Sequence, residues 1–385
     1  VNIYSTISNC VYGGGNAAGV NTNTNLTLNN ANVTGNVYGG GNEGTVGGNT
    51  NARVTNSTLG NSLYAGGNGS TATVIGNTNL IMDGTRNSVT NNVFGGGNQA
   101  ATGLSTNNNS TSSVNIVGAT IGGNVYGGAN TSVVYGYTDM NIGYDAVNNN
   151  TLTKGDVIIG GTVFGGGEAN ASGSENYDYT FISVTEGITI DIDGNTHTNF
   201  SIGGSIFGSG NASSTSGTSI INIKNYGSIY SPQSNISIQR ATTVTLDNSA
   251  IALDGATDRT NEYSNENFSL SRIDELKLKN NSTLYVNYGA NLLQQFTSCV
   301  DEEGLETKAT VTIDANGNTT KNVDNRIYLL EGKNLNIAKN ENVTSYGEVS
   351  GMTFFGMYKT DGTNYIYGLY DNWFNLWKLV HRQLN

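Results

Sequence analysis

Short segments in which apolar and polar residues alternate run along most of this chain. The clearest segment precedes an aromatic residue and carries aliphatic residues five positions and one position before it, as in Val33 and Val37 before Tyr38. Period-two spacing puts these aliphatic side chains on one face of a β-strand. Further segments of this kind lie at 26–28, 80–82, 114–116, 188–192 and 220–223. The pattern predicts an all-β fold.

The segment that ends in an aromatic residue returns seven times, and a glycine-rich turn that mostly ends in Asn follows each copy. The first copy reads Val11-Tyr12-Gly13-Gly14-Gly15-Asn16. The successive aromatic residues are spaced by 26, 26, 30, 32, 38 and 43 residues, and they are Tyr12, Tyr38, Tyr64, Phe94, Tyr126, Phe164 and Phe207. A sequence unit that recurs at such intervals indicates stacked structural units.

A minimum period near 26 residues fits one coil of three short strands and three corners. We therefore expect a right-handed parallel β-helix, a three-sided solenoid with about 26 or more residues per coil. The longer periods are expected to come from insertions at one corner, after the glycine-rich turn. A β-propeller is the main alternative, but its blades need about 40 residues or more and the early units are shorter.

Glycine and asparagine have predicted structural roles in the repeat. The third residue before each aromatic is always Gly or Asn, as at Gly35, and we expect the core to narrow there. The turn glycines are expected to supply positive φ angles or close backbone approach. We expect the turn asparagines to be left-handed and to form a ladder of amide hydrogen bonds, at Asn16, Asn42, Asn68, Asn98, Asn130 and Asn211. Glu168 interrupts this ladder, which requires a hydrated corner.

Charge and aromatic content divide the chain into three predicted regions. Residues 1–230 hold 11 acidic and 4 basic residues and are expected to form the regular Gly/Asn-rich solenoid. Residues 231–350 are expected to continue it less regularly, with strands at 244–246, 276–278, 284–286, 311–313, 327–329 and 335–337. Residues 351–385 are rich in aromatic residues and are expected to cap the open end or to contact the next module.

The composition limits the classes of partner. A formal net charge of −12 argues against nucleic acid and anionic membrane surfaces. No run of 18 apolar residues is present, so no membrane insertion is predicted. The chain begins at Val1 without a signal peptide, and we expect it to be part of a larger protein with flanking modules. Cys10 and Cys299 are expected to be unbonded, since many coils would separate them.

Asp191 and Asp193 are the candidate acidic pair. They stand two residues apart, so a strand would place both carboxylates on one face about 7 Å apart. Such a pair suits Ca²⁺, or the acid and base roles in glycoside hydrolysis with Glu168 as a further carboxylate. The alternative is a solvent-facing strand that enters an Asp-Gly turn, in which Asp193 bonds the backbone. His197 is expected to be a loop residue, and no other cofactor or zinc cluster is predicted.

The seven aromatic residues are the candidate binding residues. If the strand pleat continues through the repeat, their rings point outward and form an exposed stripe that stacks on sugar rings or on a partner protein. If the glycine-rich turn bends the chain at that point, the rings fold inward and fill a corner of the core. The exchange of Tyr for Phe among the copies indicates that the hydroxyl is dispensable. Both orientations stay open at this stage.

The Val-Tyr-Gly-Gly-Gly-Asn units resemble repeat regions in very large surface or secreted proteins of Gram-positive, clostridia-like bacteria. The resemblance covers residues 7 to about 211 well and the remainder weakly. It implies a non-enzymatic segment at the cell surface or outside the cell, which acts as a stalk or as an adhesin for host, glycan or matrix. It implies no catalytic residues.

Two other functions are consistent with a β-helix. A carbohydrate-active enzyme, either a polysaccharide lyase or a glycoside hydrolase, would use Asp191 and Asp193 in a cleft. A phage tail-fibre or spike segment would need no catalytic residues and would form trimers.

Overall fold

The computed structural model describes residues 1–143, 151–168, 181–195, 197–227, 233–236 and 238–253, together with segments at 270–279, 282–287, 310–313, 326–330, 353–358 and 364–369. All helix or strand elements in these residues are β-strands. The chain divides into two compact units, Val1–Ile220 and Ile221–Asn385. The predicted boundaries at residues 230 and 350 stay predictions.

The longest strands of the first unit lie side by side and parallel, one strand from each repeat. Equivalent residues are direct neighbours, so that Leu28 aligns with Val54 and Val54 aligns with Met82. Inward and outward side chains alternate along each strand. The strands of this long-strand column are Asn2–Ile3, Thr24–Asn29, Thr50–Thr55, Thr78–Asp83, Ser110–Ile116, Gly136–Ile142 and Gly187–Asp193.

Two further columns of short parallel strands come from the segment that precedes each glycine-rich turn. The short-strand column consists of Thr6–Ile7, Asn32–Val33, Thr58–Leu59, Ser88–Val89, Ala119–Ile121, Val157–Ile159 and Phe200–Ile202. The aromatic column consists of Val11–Tyr12, Val37–Tyr38, Leu63–Tyr64, Val93–Phe94, Val125–Tyr126, Val163–Phe164 and Ile206–Phe207. The prediction of an all-β fold of stacked parallel strands is confirmed.

A fourth position in each repeat also pairs with its equivalent in the next. Isolated parallel bridges join Val20, Val46, Val74, Thr102, Val134 and Val184 in this order. Two more parallel strands, Ile182–Val184 and Ser214–Thr215, pair at the end of this row, and Thr218–Lys224 spans the boundary between the units. The inward residues of all four rows form one apolar core, since Leu28, Val33, Val37 and Val46 are all fully buried.

The sequence predicted one strand before each aromatic residue, but the structure has two short strands there. In the second repeat Asn32–Val33 ends before a bend, and Val37–Tyr38 begins after it. Gly35 lies in this bend and is partly exposed, and the equivalent Asn91 is exposed. The predicted narrowing of the core is therefore wrong. Gly and Asn occur at this position because the backbone bends there at the surface.

Extra residues enter the repeat at more than one place, so the prediction of a single insertion corner is wrong. Segment 143–156 lengthens the connection between the long strand Gly136–Ile142 and the short strand Val157–Ile159. Segment 103–109 precedes the long strand Ser110–Ile116. Residues 104–107 of the latter segment are exposed, and added chain length at the surface costs little free energy.

The glycine-rich turns of successive repeats stack backbone against backbone. The amide of Gly40 donates to the carbonyl oxygen of Gly66 at 3.0 Å. A Cβ atom at Gly39 would overlap the carbonyl oxygen of Ala65 in the next repeat. Close approach of the two backbones is therefore the reason for glycine, one of the two predicted reasons.

Left-handed backbone occurs at a different corner from the predicted one. The φ angle is 52° at Asn30, 49° at Asn56 and 105° at Gly84, and these residues follow the long strand in three successive repeats. Among the described residues, the turn asparagines such as Asn42 are not among those with positive φ. The tight reversal lies after the long strand, and Asn and Gly are the residues that tolerate it.

Buried hydroxyl groups tie each long strand to the following glycine-rich turn. The hydroxyl of Thr24 donates to the carbonyl oxygen of Gly39 at 2.7 Å, and that of Thr50 donates to Ala65 at 2.7 Å. The hydroxyl of Ser112 makes the equivalent bond at 2.6 Å. These bonds satisfy turn carbonyl groups inside the core, where an unpaired polar group is costly.

The second unit is also built from parallel strands. Ile238–Asp247, Leu270–Lys279 and Thr310–Ile313 form one row. Gln233–Ile236, Ala250–Leu253, Thr283–Asn287, Arg326–Leu330 and Thr353–Tyr358 form another, and Asn364–Leu369 adds to it in antiparallel orientation. The strands predicted at 244–246, 276–278, 284–286, 311–313 and 327–329 lie within these elements.

Several predictions fall on residues outside the described part of the chain. They concern the strand at 335–337, residues 370–385 of the predicted cap, and Cys299. Cys10 is a free thiol. The role of 351–385 as a cap stays a prediction.

Replacement of Gly39 by alanine tests the close approach of stacked turns. We expect Gly39→Ala to lower the free energy of unfolding by about 3 kcal/mol, because the new methyl group meets the backbone of the next repeat. Urea denaturation followed by circular dichroism measures this. Gly19→Ala is the control, since Gly19 is exposed and its Cβ would lie 3.2 Å from the nearest atom. A cost as small at Gly39 as at Gly19 would contradict the packing described.

Candidate functional site

The seven aromatic residues form one stack of rings, the ring column. Neighbouring ring centroids lie 4.7 to 5.1 Å apart, and neighbouring ring planes differ by 3 to 9°. This spacing matches the distance between adjacent strands, so each repeat contributes one ring to the stack. The ring column consists of Tyr12, Tyr38, Tyr64, Phe94, Tyr126, Phe164 and Phe207.

Five of the seven rings are inside the core. Tyr38, Tyr64, Phe94, Tyr126 and Phe164 are 0 to 6% exposed, and the two end members are partly buried. Of the two orientations that the sequence left open, these five rings adopt the inward one. A role of these residues in ligand binding stays a prediction, and their burial favours a role in packing.

The tyrosine hydroxyl groups of the ring column have hydrogen-bond partners two residues earlier in the chain. Asn36 Nδ2 donates to the Tyr38 hydroxyl at 3.0 Å, and Asn124 Nδ2 donates to the Tyr126 hydroxyl at 3.0 Å. Burial raises the pKa of Tyr64 to about 12. The phenol is therefore protonated at neutral pH and acts as a structural group.

The predicted asparagine ladder is present over five repeats. The side-chain amide of Asn42 donates to Asn16 Oδ1 at 2.7 Å, and Asn68 donates to Asn42 at 2.8 Å. Asn98 Nδ2 donates to Asn68 Oδ1 at 3.0 Å, and Asn130 Nδ2 donates to Asn98 Oδ1 at 2.7 Å. An amide both donates and accepts, so each Asn bonds the repeats on both sides.

Glu168 takes the ladder position in the sixth repeat and is partly buried. Burial raises the pKa of this carboxyl group, and a hydrogen bond with the hydroxyl group of Tyr126 partly offsets the rise. Glu168 thus lies beside the ring column, at the position that Asn occupies in the ladder, and it is not on the long-strand column that carries Asp191 and Asp193. The tyrosine contact explains how a carboxyl group is accommodated at this position.

A second ladder, which sequence reasoning missed, runs along the outer face of the long-strand column. Asn51 Nδ2 donates to Asn25 Oδ1 at 3.0 Å, and Asn79 Nδ2 donates to Asn51 Oδ1 at 3.0 Å. The signal in the sequence was an Asn directly after the first Thr of three successive long strands. The outer face therefore presents regularly spaced amides.

A bidentate ion pair joins two repeats on the same outer face. Arg53 Nε lies 3.0 Å from Asp83 Oδ1, and Arg53 Nη2 lies 2.7 Å from Asp83 Oδ2. The hydroxyl of Thr55 also donates to Asp83 at 2.7 Å. Burial by itself would raise the pKa of Asp83, but the bonds from Arg53 and Thr55 outweigh burial, and the pKa is lowered.

Asp191 and Asp193 lie on one strand of the long-strand column, Gly187–Asp193. Buried isoleucines alternate with them, so both carboxylates face outward, as the sequence predicted. Asp193 Oδ1 accepts a hydrogen bond from the amide of Asn195 at 2.8 Å, which is the backbone bond of the turn alternative. A catalytic or metal-binding role of the pair stays a prediction.

Asp139 is the carboxylate that sequence reasoning missed. It lies on the neighbouring strand Gly136–Ile142, which pairs in register with the strand of Asp191. Burial, followed by the negative charge of Asp191, raises the pKa of Asp139, and the side chain of Asn141 partly offsets this. The alternation of Asp139 with apolar residues indicates that it faces outward from a strand. The sequence does not show that this strand pairs with a strand 50 residues later.

His197 holds two connections together. Its Nδ1 atom lies 2.7 Å from the carbonyl oxygen of Gly155, and its Nε2 atom lies 2.8 Å from that of Gly143. The ring also contacts Phe200 at 5.6 Å between centroids. His197 is therefore a packed residue that joins the insertion 143–156 to the following repeat.

Within the described part of the chain, no three His, Cys, Asp or Glu residues gather closely enough to hold a metal ion. The same residues include no helix of the length and apolar character needed to cross a membrane. Comparisons with protein-family models, with curated proteins and with solved structures find no match to this chain.

Substitutions at Phe94 test the ring column. Phe94→Ala removes a ring that stacks on both Tyr64 and Tyr126, and we expect it to lower the free energy of unfolding by about 3–5 kcal/mol. Tyr12→Ala should cost clearly less, because the Tyr12 ring is only partly buried. Phe94→Tyr should be tolerated within about 1 kcal/mol, because neighbouring repeats already place a hydroxyl group there. Equal costs for Phe94→Ala and Tyr12→Ala in thermal denaturation would contradict the stack.

Asp83→Asn tests the ion pair. We expect it to lower the free energy of unfolding at pH 7 by about 2 kcal/mol, because the buried carboxylate accepts three side-chain hydrogen bonds. A lowered pKa contributes stability above the ordinary carboxyl pKa of 3.8, and this contribution is lost as the pH falls through the folded-state pKa. The difference between wild type and variant should therefore shrink in acid.

Urea denaturation between pH 7 and pH 2 measures this difference. Glu43→Gln is the control, since Glu43 is exposed, and it should change stability by less than about 0.5 kcal/mol. If the free energy of unfolding of Asp83→Asn differed from that of wild type by the same amount from pH 7 to pH 2, the result would contradict the ion pair.

Proposed function

We propose that this chain is a non-enzymatic, extracellular segment of a large bacterial surface protein, where it acts as a stalk or as an adhesin. The observation that carries the proposal is the unbroken ring column, in which seven repeats each add one ring at the strand spacing. A column of this kind makes neighbouring repeats interdependent along one direction.

The proposed architecture is a right-handed, three-sided parallel β-helix. Support comes from the three columns of parallel strands, which give each full repeat of the first unit three strands separated by connections. The backbone bonds between repeats, the ring column and the asparagine ladder all act along the same axis. Such a structure resists bending because every repeat is bonded to both neighbours, which is what a stalk requires.

The proposed adhesive surface is the outer face of the long-strand column. It presents the amides of Asn25, Asn51 and Asn79 in register, and amide groups both donate to and accept from sugar hydroxyl groups. We expect a glycan, a host or cell-surface protein, or matrix material as the partner. Flanking modules of the parent protein would attach the segment to the cell.

Insertion of whole repeats tests the stalk proposal. Three extra copies of residues 24–49, inserted before Thr50, repeat a unit that begins and ends at equivalent positions of the coil. We expect the chain to fold and to lengthen by about 14 Å, at about 4.8 Å for each coil. Small-angle scattering measures the maximum dimension, and insertion of a shuffled 24–49 sequence is the control.

An inserted chain that folds with an unchanged maximum dimension would refute the stalk. Incubation of the wild-type chain with a panel of polysaccharides tests the adhesin separately. Retention on glycan- or matrix-coated beads without new reducing or unsaturated ends is expected. Turnover of a polysaccharide would show an enzyme instead.

A further inference from the structure

Three strands from successive repeats bring acidic and amide side chains together on the outer face of the long-strand column. Asn115, Asn141 and Asp191 are register partners on three neighbouring strands. Asp139 stands two residues before Asn141, so its side chain is on the same face. These four residues bring six side-chain oxygen atoms to one patch of the sheet.

Asn115 is the unusual member of this group. It is 2% exposed, and neither Oδ1 nor Nδ2 has a hydrogen-bond partner. Its neighbours Val114 and Ile116 point into the core and are fully buried, so the amide of Asn115 faces outward, toward the row that holds Asn141. Burial of an amide without a partner costs about 1–3 kcal/mol, which calls for a ligand that supplies the missing contact.

Residues 151–156, the described end of the insertion, lie beside the ends of these strands. The amide of Gly155 donates to Val117 at 2.9 Å, and the amide of Gly84 donates to Thr153 at 2.7 Å. The insertion thereby reaches across two earlier repeats. Its position beside Val117 brings it next to the end of the strand Ser110–Ile116, which holds Asn115.

Asp139 and Asp191 lie on the outer faces of two neighbouring strands that pair in register, with Asp191 beside Asn141 and Asp139 two residues before Asn141. Two carboxylates this close on one face repel each other when both are charged. The amide of Asn141 gives Asp139 a hydrogen bond of 3.4 Å, which is long for a charge-assisted bond. A positive charge between the two carboxylates would remove their repulsion.

We propose that Asp139, Asn141, Asp191 and Asn115 bind a Ca²⁺ ion on the outer face of the long-strand column. Carboxylate and amide oxygens are the ligands that Ca²⁺ prefers, and water molecules complete its six to eight ligands. Mg²⁺ fits less well, because it requires regular octahedral geometry and gives up its water reluctantly. The site goes beyond the proposed stalk or adhesin function and does not depend on it.

The ion would join the strands Gly136–Ile142 and Gly187–Asp193. Of the paired strands in the long-strand column, these two are separated by the longest stretch of sequence. Tyr137 aligns with Gly187, a step of 50 residues. Long intervals leave the pairing of the flanking strands less determined by chain connectivity. A Ca²⁺ ion held by one carboxylate from each strand would fix their register.

Terbium luminescence on the full chain tests the site. Tb³⁺ occupies Ca²⁺ sites, and a nearby tyrosine sensitises its emission. Tyr137 lies on the same strand and face as Asp139, and its ring is packed close to Gly187 on the strand of Asp191. We expect saturable emission that Ca²⁺ displaces more effectively than Mg²⁺. Tyr137→Phe should weaken the Tb³⁺ emission. The variant should still bind Tb³⁺, and Ca²⁺ should still displace it.

Isosteric variants identify the ligands. Asp139→Asn and Asp191→Asn should each weaken binding by about tenfold or more, and the matched control Asp156→Asn should leave it unchanged. In a chelator, Asp139→Asn should melt at the same or a higher temperature than wild type, because the repulsion between carboxylates is gone. In saturating Ca²⁺ the wild type should melt about 4 °C or more above its value in chelator, and the variant should show little rise.

Asn115→Leu separates the cation site from a packing defect. Without Ca²⁺ the variant should be as stable as wild type or more stable, since an unpaired amide is replaced by an apolar side chain. Its Ca²⁺ affinity should fall several-fold. The proposal is overturned if wild type gives neither saturable Tb³⁺ emission nor a Ca²⁺-dependent melting shift at millimolar cation. It is also overturned if all variants behave as wild type.

Discussion

The spacing between hydrogen-bonded parallel strands sets every other feature of the first unit. Because each repeat is displaced from the last by this one distance, any side chain that recurs at the same position meets its own copy. Rings meet rings at 4.7 to 5.1 Å, and amides meet amides at 2.7 to 3.0 Å. Both distances are favourable for these groups, so a repeated Tyr or Asn is stabilising where a repeated charge would repel.

The same spacing explains what the repeat cannot vary. Where two backbones approach at the turn, the next repeat occupies the space of any side chain at Gly39, so glycine is required. Where the chain faces solvent, as at the exposed residues 104–107, the repeat lengthens freely. The variable period of the sequence and the constant spacing of the rings are therefore consistent with each other.

Much of the fold could be predicted because it depends on local periodicity. The alternation before Tyr38 and Tyr126 predicts strands, and the constant offset from ring to Asn42 or Asn68 predicts a ladder. The bend at Gly35 was missed because alternation alone does not show where a strand is interrupted. The positive φ angle of Asn30 was missed because it depends on which corner reverses most tightly, and several corners contain Asn or Gly.

The candidate sites were less predictable, since they depend on register between strands far apart in sequence. Asp83 meets Arg53, and Asp139 meets Asp191, only because the intervening residues are accommodated in connections. No sequence spacing marks these pairs. The inward orientation of the rings likewise depends on the bend before the aromatic residue.

Disulfide mapping between repeats tests the in-register stack most directly. In a chain with Cys10→Ser and Cys299→Ser, Asn51→Cys combined with Asn79→Cys places two thiols at paired Cα positions, within the range of about 4.4–6.8 Å that a disulfide needs. Asn25→Cys combined with Asn79→Cys places them two repeats apart. The stack predicts rapid oxidation of the first pair and none of the second under mild conditions. Equal oxidation of both pairs, or of the second pair alone, would contradict it.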